Sequence, residues 1–185
     1  MIVSAHDGFP RWLDAGADFV EVDVRRTKAG VIVLAHDDLR EGVSYATLDD
    51  LLDRAAGKVG LQLDLKEEGY EVALMHRVLE RIVPTQVVVT TGADASLRRI
   101  EQRFPEVRTG LTRRHVEATD HDFIALDRDY ASDEALDFCA RRHIAVWVWT
   151  VDDLDSMERF IDEPRVAGLI TNRPDAALKL RSARS

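Results

Sequence analysis

The feature that most constrains this chain is a repeated alternation of short β-branched runs with stretches of helical period. Strand candidates are Ile2–Ala5, Phe19–Val24, Val31–Ala35, Val59–Leu65, Gln86–Thr90, Val107–Leu111, Phe123–Leu126, Ile144–Val151 and Ala167–Thr171. Helix candidates Thr47–Ala56, Tyr70–Val83, Ala95–Phe104, Asp133–Arg142 and Asp153–Asp162 fall between many of them. In the helix from Tyr70, Val72, Met75, Val78, Leu79 and Ile82 recur at helical spacing and make one buried stripe. Thr47 and Ser132 stand as capping hydroxyls before acidic first turns. Strand–helix alternation of this kind implies a parallel sheet with crossover helices.

Nine strand candidates are too many for a small open sheet and close to the eight of a β/α barrel. The chain has only 185 residues, and such barrels rarely fall below about 200. Some crossover helices are therefore missing: Pro10–Ala17 allows barely two turns, and Arg25–Gly30 allows none. One of Val107–Leu111 and Phe123–Leu126 is expected to lie outside the barrel wall.

Composition narrows the function classes. With 25 basic against 34 acidic residues the net charge is -9, which argues against nucleic acid and against an electrostatic hold on anionic membranes. A single cysteine, Cys139, excludes an internal disulfide framework and a Cys-rich zinc site. No apolar run approaches the ~20 residues of a membrane span, and the opening residues do not read as a signal peptide. The expectation is one soluble, cytoplasmic domain over residues 1–180 with a disordered tail at 181–185.

The polar residues gather at strand ends. Side chains two apart on a strand share a face, so Glu21 and Asp23 point one way from Phe19–Val24, and Gln62, Asp64 and Lys66 one way from their strand. Singly, each pattern reads as an amphipathic strand with a wet face. Together with His6, His36-Asp37, Trp149-Thr150 and Thr171 they mark the C-terminal rim, where β/α barrels carry their active sites. Three carboxylates converging there need a cation, and oxygen ligands suit Mg²⁺ or Ca²⁺ rather than zinc. His6 and His36 add groups that move protons near neutral pH. His76, His115, His121 and His143 read as surface residues, Cys139 as core, and Trp147 and Trp149 as either core filling or a substrate platform. Dinucleotide, P-loop, zincin and hydrolase-elbow motifs are absent.

These residues resemble a known family. Gly16-Ala-Asp-Phe-Val-Glu-Val-Asp-Val followed by Thr27-Lys-Ala-Gly-Val-Ile-Val-Leu-Ala-His-Asp is similar to the glycerophosphodiester phosphodiesterases. Leu63-Asp-Leu-Lys, Val146-Trp-Val-Trp-Thr-Val and Gly168-Leu-Ile-Thr-Asn-Arg-Pro-Asp continue the likeness to the end of the chain, the last resembling a family pattern GIITDxP. The resemblance implies a β/α barrel that hydrolyses a small-molecule glycerophosphodiester to glycerol 3-phosphate and an alcohol. It implies Glu21, Asp23 and Asp64 as ligands of a divalent cation (Mg or Ca), and His6 and His36 as the general acid/base pair. Lys66 would be a phosphate contact and Trp149 a wall of the alcohol pocket.

The chain also departs from the pattern. The family's HRG is His6-Asp7-Gly8 here, the Pro-Glu-Asn-Thr segment after it is missing, and the stretch between His36 and Asp64 is short. Asp7 has three readings: a group that repels the substrate phosphate, an added metal ligand, or a cap of the short segment near Pro10. A barrel that has shed catalysis and serves as a binding or regulatory protein is the alternative, as is a phosphodiesterase for another headgroup.

Two structural expectations follow. Lys28-Ala-Gly reads locally as a hairpin turn, which would pair Asp23 with Val31 and leave His36 roughly 16 Å away. A site containing both therefore calls for parallel strands joined by an extended return. The missing helices also leave Val20, Val22, Ile32 and Leu34 in need of cover, supplied either by a homodimer partner or by Trp12 and neighbouring helices.

Overall fold

The computed structural model describes residues 1–184. Eight parallel strands close a barrel: β1 (Ile2–Ala5), β2 (Phe19–Arg26), β4 (Gly60–Leu65), β5 (Val87–Thr91), β6 (Arg108–Arg113), β7 (Phe123–Asp127), β8 (Ala145–Trp149) and β9 (Val166–Thr171). The β1–β2 and β1–β9 pairings complete the ring. The ninth strand, β3 (Ile32–Leu34), hangs on the outside of β2 and is antiparallel to it. Both Arg108–Arg113 and Phe123–Asp127 belong to the wall, so the strand outside it is β3 and not one of that pair.

The helices are α1 (Leu48–Ala55), α2 (Glu71–Leu79), α3 (Asp94–Arg103), α4 (Asp133–Arg141), α5 (Leu154–Ile161) and α6 (Pro174–Ala183). The crossovers from β1 to β2 and from β6 to β7 have no α-helix. In the second of these, residues 114–122 are pinned by His121, whose buried ring contacts carboxylates of Asp94 and Glu101 on α3. His121 is thus a buried tie between loop and helix rather than a surface residue. Among the described residues, no helix is long and apolar enough to cross a membrane.

Helix α6 extends three residues into the expected tail, because Arg181 reaches Asp18 and the carbonyl of Met1, and Ser182 donates to Leu178. Ser185 lies outside the described residues.

The hairpin between β2 and β3 is real, contrary to the parallel return expected from the site chemistry. Strand β2 runs two residues further than Val24, and the turn falls at Thr27–Gly30, with Gly30 at φ 83° where a side chain would be strained. Val24 therefore faces Leu34 and Arg26 faces Ile32. The Ala35 N–H donates to the Asp23 carbonyl at 3.0 Å, which returns the chain to the rim beside Asp23. An antiparallel excursion delivers His36 to the site that a parallel strand was thought necessary to reach.

Cover for the outer face of β2 comes from within the chain. Val20, Val22 and Ile32 are buried against Leu48, Leu51, Leu52 and Ala55 of α1, with Phe9 and Trp12 packed alongside. The reason for invoking a homodimer at this face is thereby removed.

Inside, the barrel is closed at its lower end by aromatic rings. Phe123 and Trp147 stack with centroids 4.4 Å apart, and Phe19 leans on Trp147 at 5.7 Å. Glycines make the room: a Cβ on Gly110 would lie 2.2 Å from the Phe123 ring, and one on Gly168 would lie 2.8 Å from Trp147. The plug leaves only the C-terminal end open, and it settles Trp147 as core.

Candidate active site

Each strand brings its last inward side chains to that open end. His6 follows β1, Glu21 and Asp23 lie on the inner face of β2, His36 follows β3, and Asp64 and Lys66 end β4. With Thr90, Thr112, Ala125 and Trp149 they line one cavity of about 330 Å³. All seven residues singled out in the sequence meet there. Trp149 is only partly buried, and its indole N–H donates to the Ala125 carbonyl at 2.9 Å, which stands the ring along one wall.

Glu21, Asp23 and Asp64 present carboxylate oxygens within 4.8 Å of one another. Lys66 Nζ sits 2.7 Å from Asp23 Oδ1 and 2.6 Å from Asp64 Oδ2. Asp64 Oδ1 accepts from Thr90 Oγ1 at 2.7 Å, and Glu21 Oε2 accepts the Asp7 N–H at 3.0 Å. Burial, then the charges of Asp23 and Asp64, push the Glu21 carboxyl well above the usual carboxylate range. Burial likewise raises Asp64, against the pull of Lys66 and the Thr90 hydroxyl. Burial acts to lower Lys66, but the two carboxylates outweigh it and hold the ammonium charged.

One ammonium thus faces three carboxylates, and the centre is short of positive charge. An all-oxygen donor set with hydrogen-bonded second oxygens fits a hard divalent cation.

The histidines are oriented from opposite sides. His36 Nδ1 lies 3.1 Å from Asp23 Oδ2, with the ring open to solvent. His6 Nδ1 lies 3.0 Å from Asn172 Oδ1. The Asn172 amide is itself oriented: its Nδ2 donates to Asp152 Oδ2 and its backbone N–H to Asp152 Oδ1, both at 2.8 Å. A carboxylate only accepts, so the amide must turn its nitrogen to Asp152 and its oxygen to His6. His6 therefore carries its proton on Nδ1 and, when neutral, turns a bare Nε2 towards the cavity, 4.0 Å from Glu21.

Sequence reasoning passed over Asn172 and Asp152. The signals available were the motif that contains Asn172 and the position of both residues just after β9 and β8, at the same rim as the other polar residues.

Known proteins resemble this chain in sequence and in fold. Residues 7–92 match the Glycerophosphoryl diester phosphodiesterase family. A curated glycerophosphodiester phosphodiesterase from Caldanaerobacter subterraneus subsp. tengcongensis is 25% identical, over 93% of this chain and 89% of its own length. The resemblance read from the sequence motifs is to this same family.

Solved structures carry the same barrel. A glycerophosphodiester phosphodiesterase from Parabacteroides distasonis superposes with a TM-score of 0.83 at 18% identity, covering 99% of this chain and 97% of that one. An Oleispira antarctica phosphodiesterase, solved with the product sn-glycerol-3-phosphate, superposes at 0.79 with 16% identity, covering 98% and 97%.

The short stretch between His36 and Asp64 is occupied by α1, which lies directly on β2 and β3. Asp7, at the family's arginine position, is exposed at φ 44° and lines a neighbouring recess with Phe9, Pro10 and Arg54. Asn172 stands where the family pattern has an aspartate.

Proposed function

We propose that this enzyme hydrolyses a glycerophosphodiester to glycerol 3-phosphate and an alcohol, using a divalent cation held by Glu21, Asp23 and Asp64. The observation that carries the reading is the convergence of His6, His36 and Lys66 on one three-carboxylate cluster in a single cavity. The cation, when bound, supplies positive charge to the phosphate oxygens as negative charge builds on them. Magnesium and calcium both suit the donors.

The chain's own residues supply the rest. Lys66 offers an ammonium at the same centre and offsets phosphate charge. His6, with Nδ1 occupied by Asn172, has Nε2 free to take the proton of the attacking hydroxyl. His36, oriented by its Nδ1 contact with Asp23, gives a proton to the departing alkoxide. Water supplies the oxygen and proton that complete hydrolysis, and Trp149 gives the departing alcohol a flat apolar wall.

The test is alcohol release from a panel of glycerophosphodiesters, with and without Mg²⁺ or Ca²⁺. Release that is lost with chelator and restored by either ion is expected. No release from any substrate under either condition would overturn the reading in favour of a non-catalytic barrel.

The orientation of His6 gives a sharper result. Asn172→Leu should lower kcat by roughly 10- to 100-fold, a part of the 10²–10⁴ typical of general base catalysis, with little change in KM. Steady-state kinetics beside Asn172→Asp, which keeps an acceptor for Nδ1, checks it.

A further inference from the structure

Beneath the carboxylates lies a row of buried polar side chains that the chemistry above does not use. Ser4, Gln62 and Thr90 are 0%, 2% and 0% exposed. Ser4 Oγ donates to Gln62 Oε1 at 2.7 Å, Gln62 Nε2 donates to Thr90 Oγ1 at 3.4 Å, and Thr90 Oγ1 donates to Asp64 Oδ1 at 2.7 Å.

The row has one direction. An amide oxygen only accepts, so it takes the single proton of Ser4; an amide nitrogen only donates, so it uses a lone pair of Thr90. The one proton of Thr90 is left for Asp64. Apolar side chains at these three positions would extend the plug below with no polar group to satisfy. Here three buried polar groups are spent in series, and the series ends on one oxygen of one carboxylate.

That oxygen is the one that Lys66 does not hold. Asp64 divides its oxygens, Oδ1 towards the hydroxyls of Thr90 and Thr112 and Oδ2 towards Lys66. Thr112 is the weaker partner at 3.3 Å. Without Thr90 the carboxylate is free to rotate about its last bond and bring both oxygens to Lys66.

We propose that Thr90, held in turn by Gln62 and Ser4, is a positioning residue that fixes the Asp64 carboxylate with Oδ1 on the threonine hydroxyls and Oδ2 on Lys66, the orientation in which it would hold the cation. The inference rests on the cation reading above. It makes the site's affinity for a divalent cation depend on a side chain that orients one of the three clustered carboxylates rather than belonging to the cluster.

The experiment is calorimetric titration of Mg²⁺ and of Ca²⁺ into the wild type, Thr90→Val and Thr90→Ser, with steady-state kinetics across cation concentration. Thr90→Val has nearly the volume of threonine and no hydroxyl. Cation binding should weaken by about 10- to 100-fold, the usual cost of losing an outer partner of a metal ligand. Thr90→Ser should recover most of it. Turnover by Thr90→Val should be low at limiting cation and approach wild type at saturation, a pattern that a merely loosened core does not produce.

If Thr90→Val does not fold, Thr90→Ala carries the same comparison with Thr90→Ser. A valine variant that binds either ion as tightly as wild type overturns this proposal alone. A wild type that binds neither ion overturns the cation reading and this proposal with it.

Discussion

Replacing Asp23 with alanine is expected to remove divalent-cation binding and turnover together. Asp23 is the busiest group in the cavity: it is one of the three clustered carboxylates, it lies 2.7 Å from Lys66 Nζ, and it meets His36 Nδ1 at 3.1 Å. In the proposed mechanism its loss deletes a cation ligand, and it frees Lys66 on one side and leaves His36 without its orienting partner. Loss of charge stabilisation and loss of an aligned acid each cost on the order of 10² or more, so kcat/KM should fall by about 10³-fold at least.

A cation that binds the folded chain and not the unfolded one stabilises by about 2.7 kcal/mol at a hundredfold excess over Kd. The wild type should show that rise in Tm and Asp23→Ala should not. His6→Ala is the control, since it should lose turnover and keep the cation-induced rise. Calorimetry that finds cation binding unchanged in Asp23→Ala would remove the three-carboxylate site.

Much of this was legible in the sequence because it depends on local alternation. Two residues apart on one strand is enough to put Glu21 and Asp23 on one face, and the same rule places Asp64 with Lys66. What alternation cannot fix is where a strand stops. Ending β2 at Val24 makes the hairpin put Asp23 opposite Val31; ending it at Arg26 puts Asp23 level with Ala35. Two residues of strand length decided whether His36 belonged to the site. Arg25 holds that extension in place, its guanidinium reaching Glu67 and the His36 carbonyl, and neither contact is visible in sequence.

His121 was misread for a similar reason. Asp120-His-Asp reads as a solvated loop, yet the partners that bury the ring, Asp94 and Glu101, are 27 and 20 residues away on α3. Asn172 and Asp152 meet across 20 residues at the ends of adjacent strands, so their pairing follows from barrel closure rather than from any motif. Helix α6 escaped notice because its buried face amounts to Pro174 and Ala177, too little for a periodic stripe.

Lys66→Met is expected to separate the two positive charges that this centre uses. Without metal, Lys66 is the ammonium that bonds both Asp23 and Asp64, and removing one partner of a buried ion pair costs about 3–5 kcal/mol. Lys66 keeps 23% side-chain exposure, so solvent screening puts the loss at or below the lower end of that range, about 2–3 kcal/mol. The metal-free variant should therefore melt several degrees below wild type at neutral pH.

The deficit should shrink on acidification. Glu21 and Asp64 are raised by burial in the folded state, so protonation of these groups favours the folded form below their raised values, and that contribution is lost as the pH rises through them. Adding Mg²⁺ or Ca²⁺ should reverse the deficit more strongly than it stabilises wild type, because the ion no longer competes with an ammonium for Asp23 and Asp64. Turnover should nevertheless stay low, by about 10²-fold, since a methionine cannot offset phosphate charge. Thermal melts with and without the ion, beside kinetics at saturating ion, read all three effects. A metal-free Lys66→Met that melts with wild type, or one that binds the ion more weakly, would show that Lys66 does not share the carboxylates with the cation.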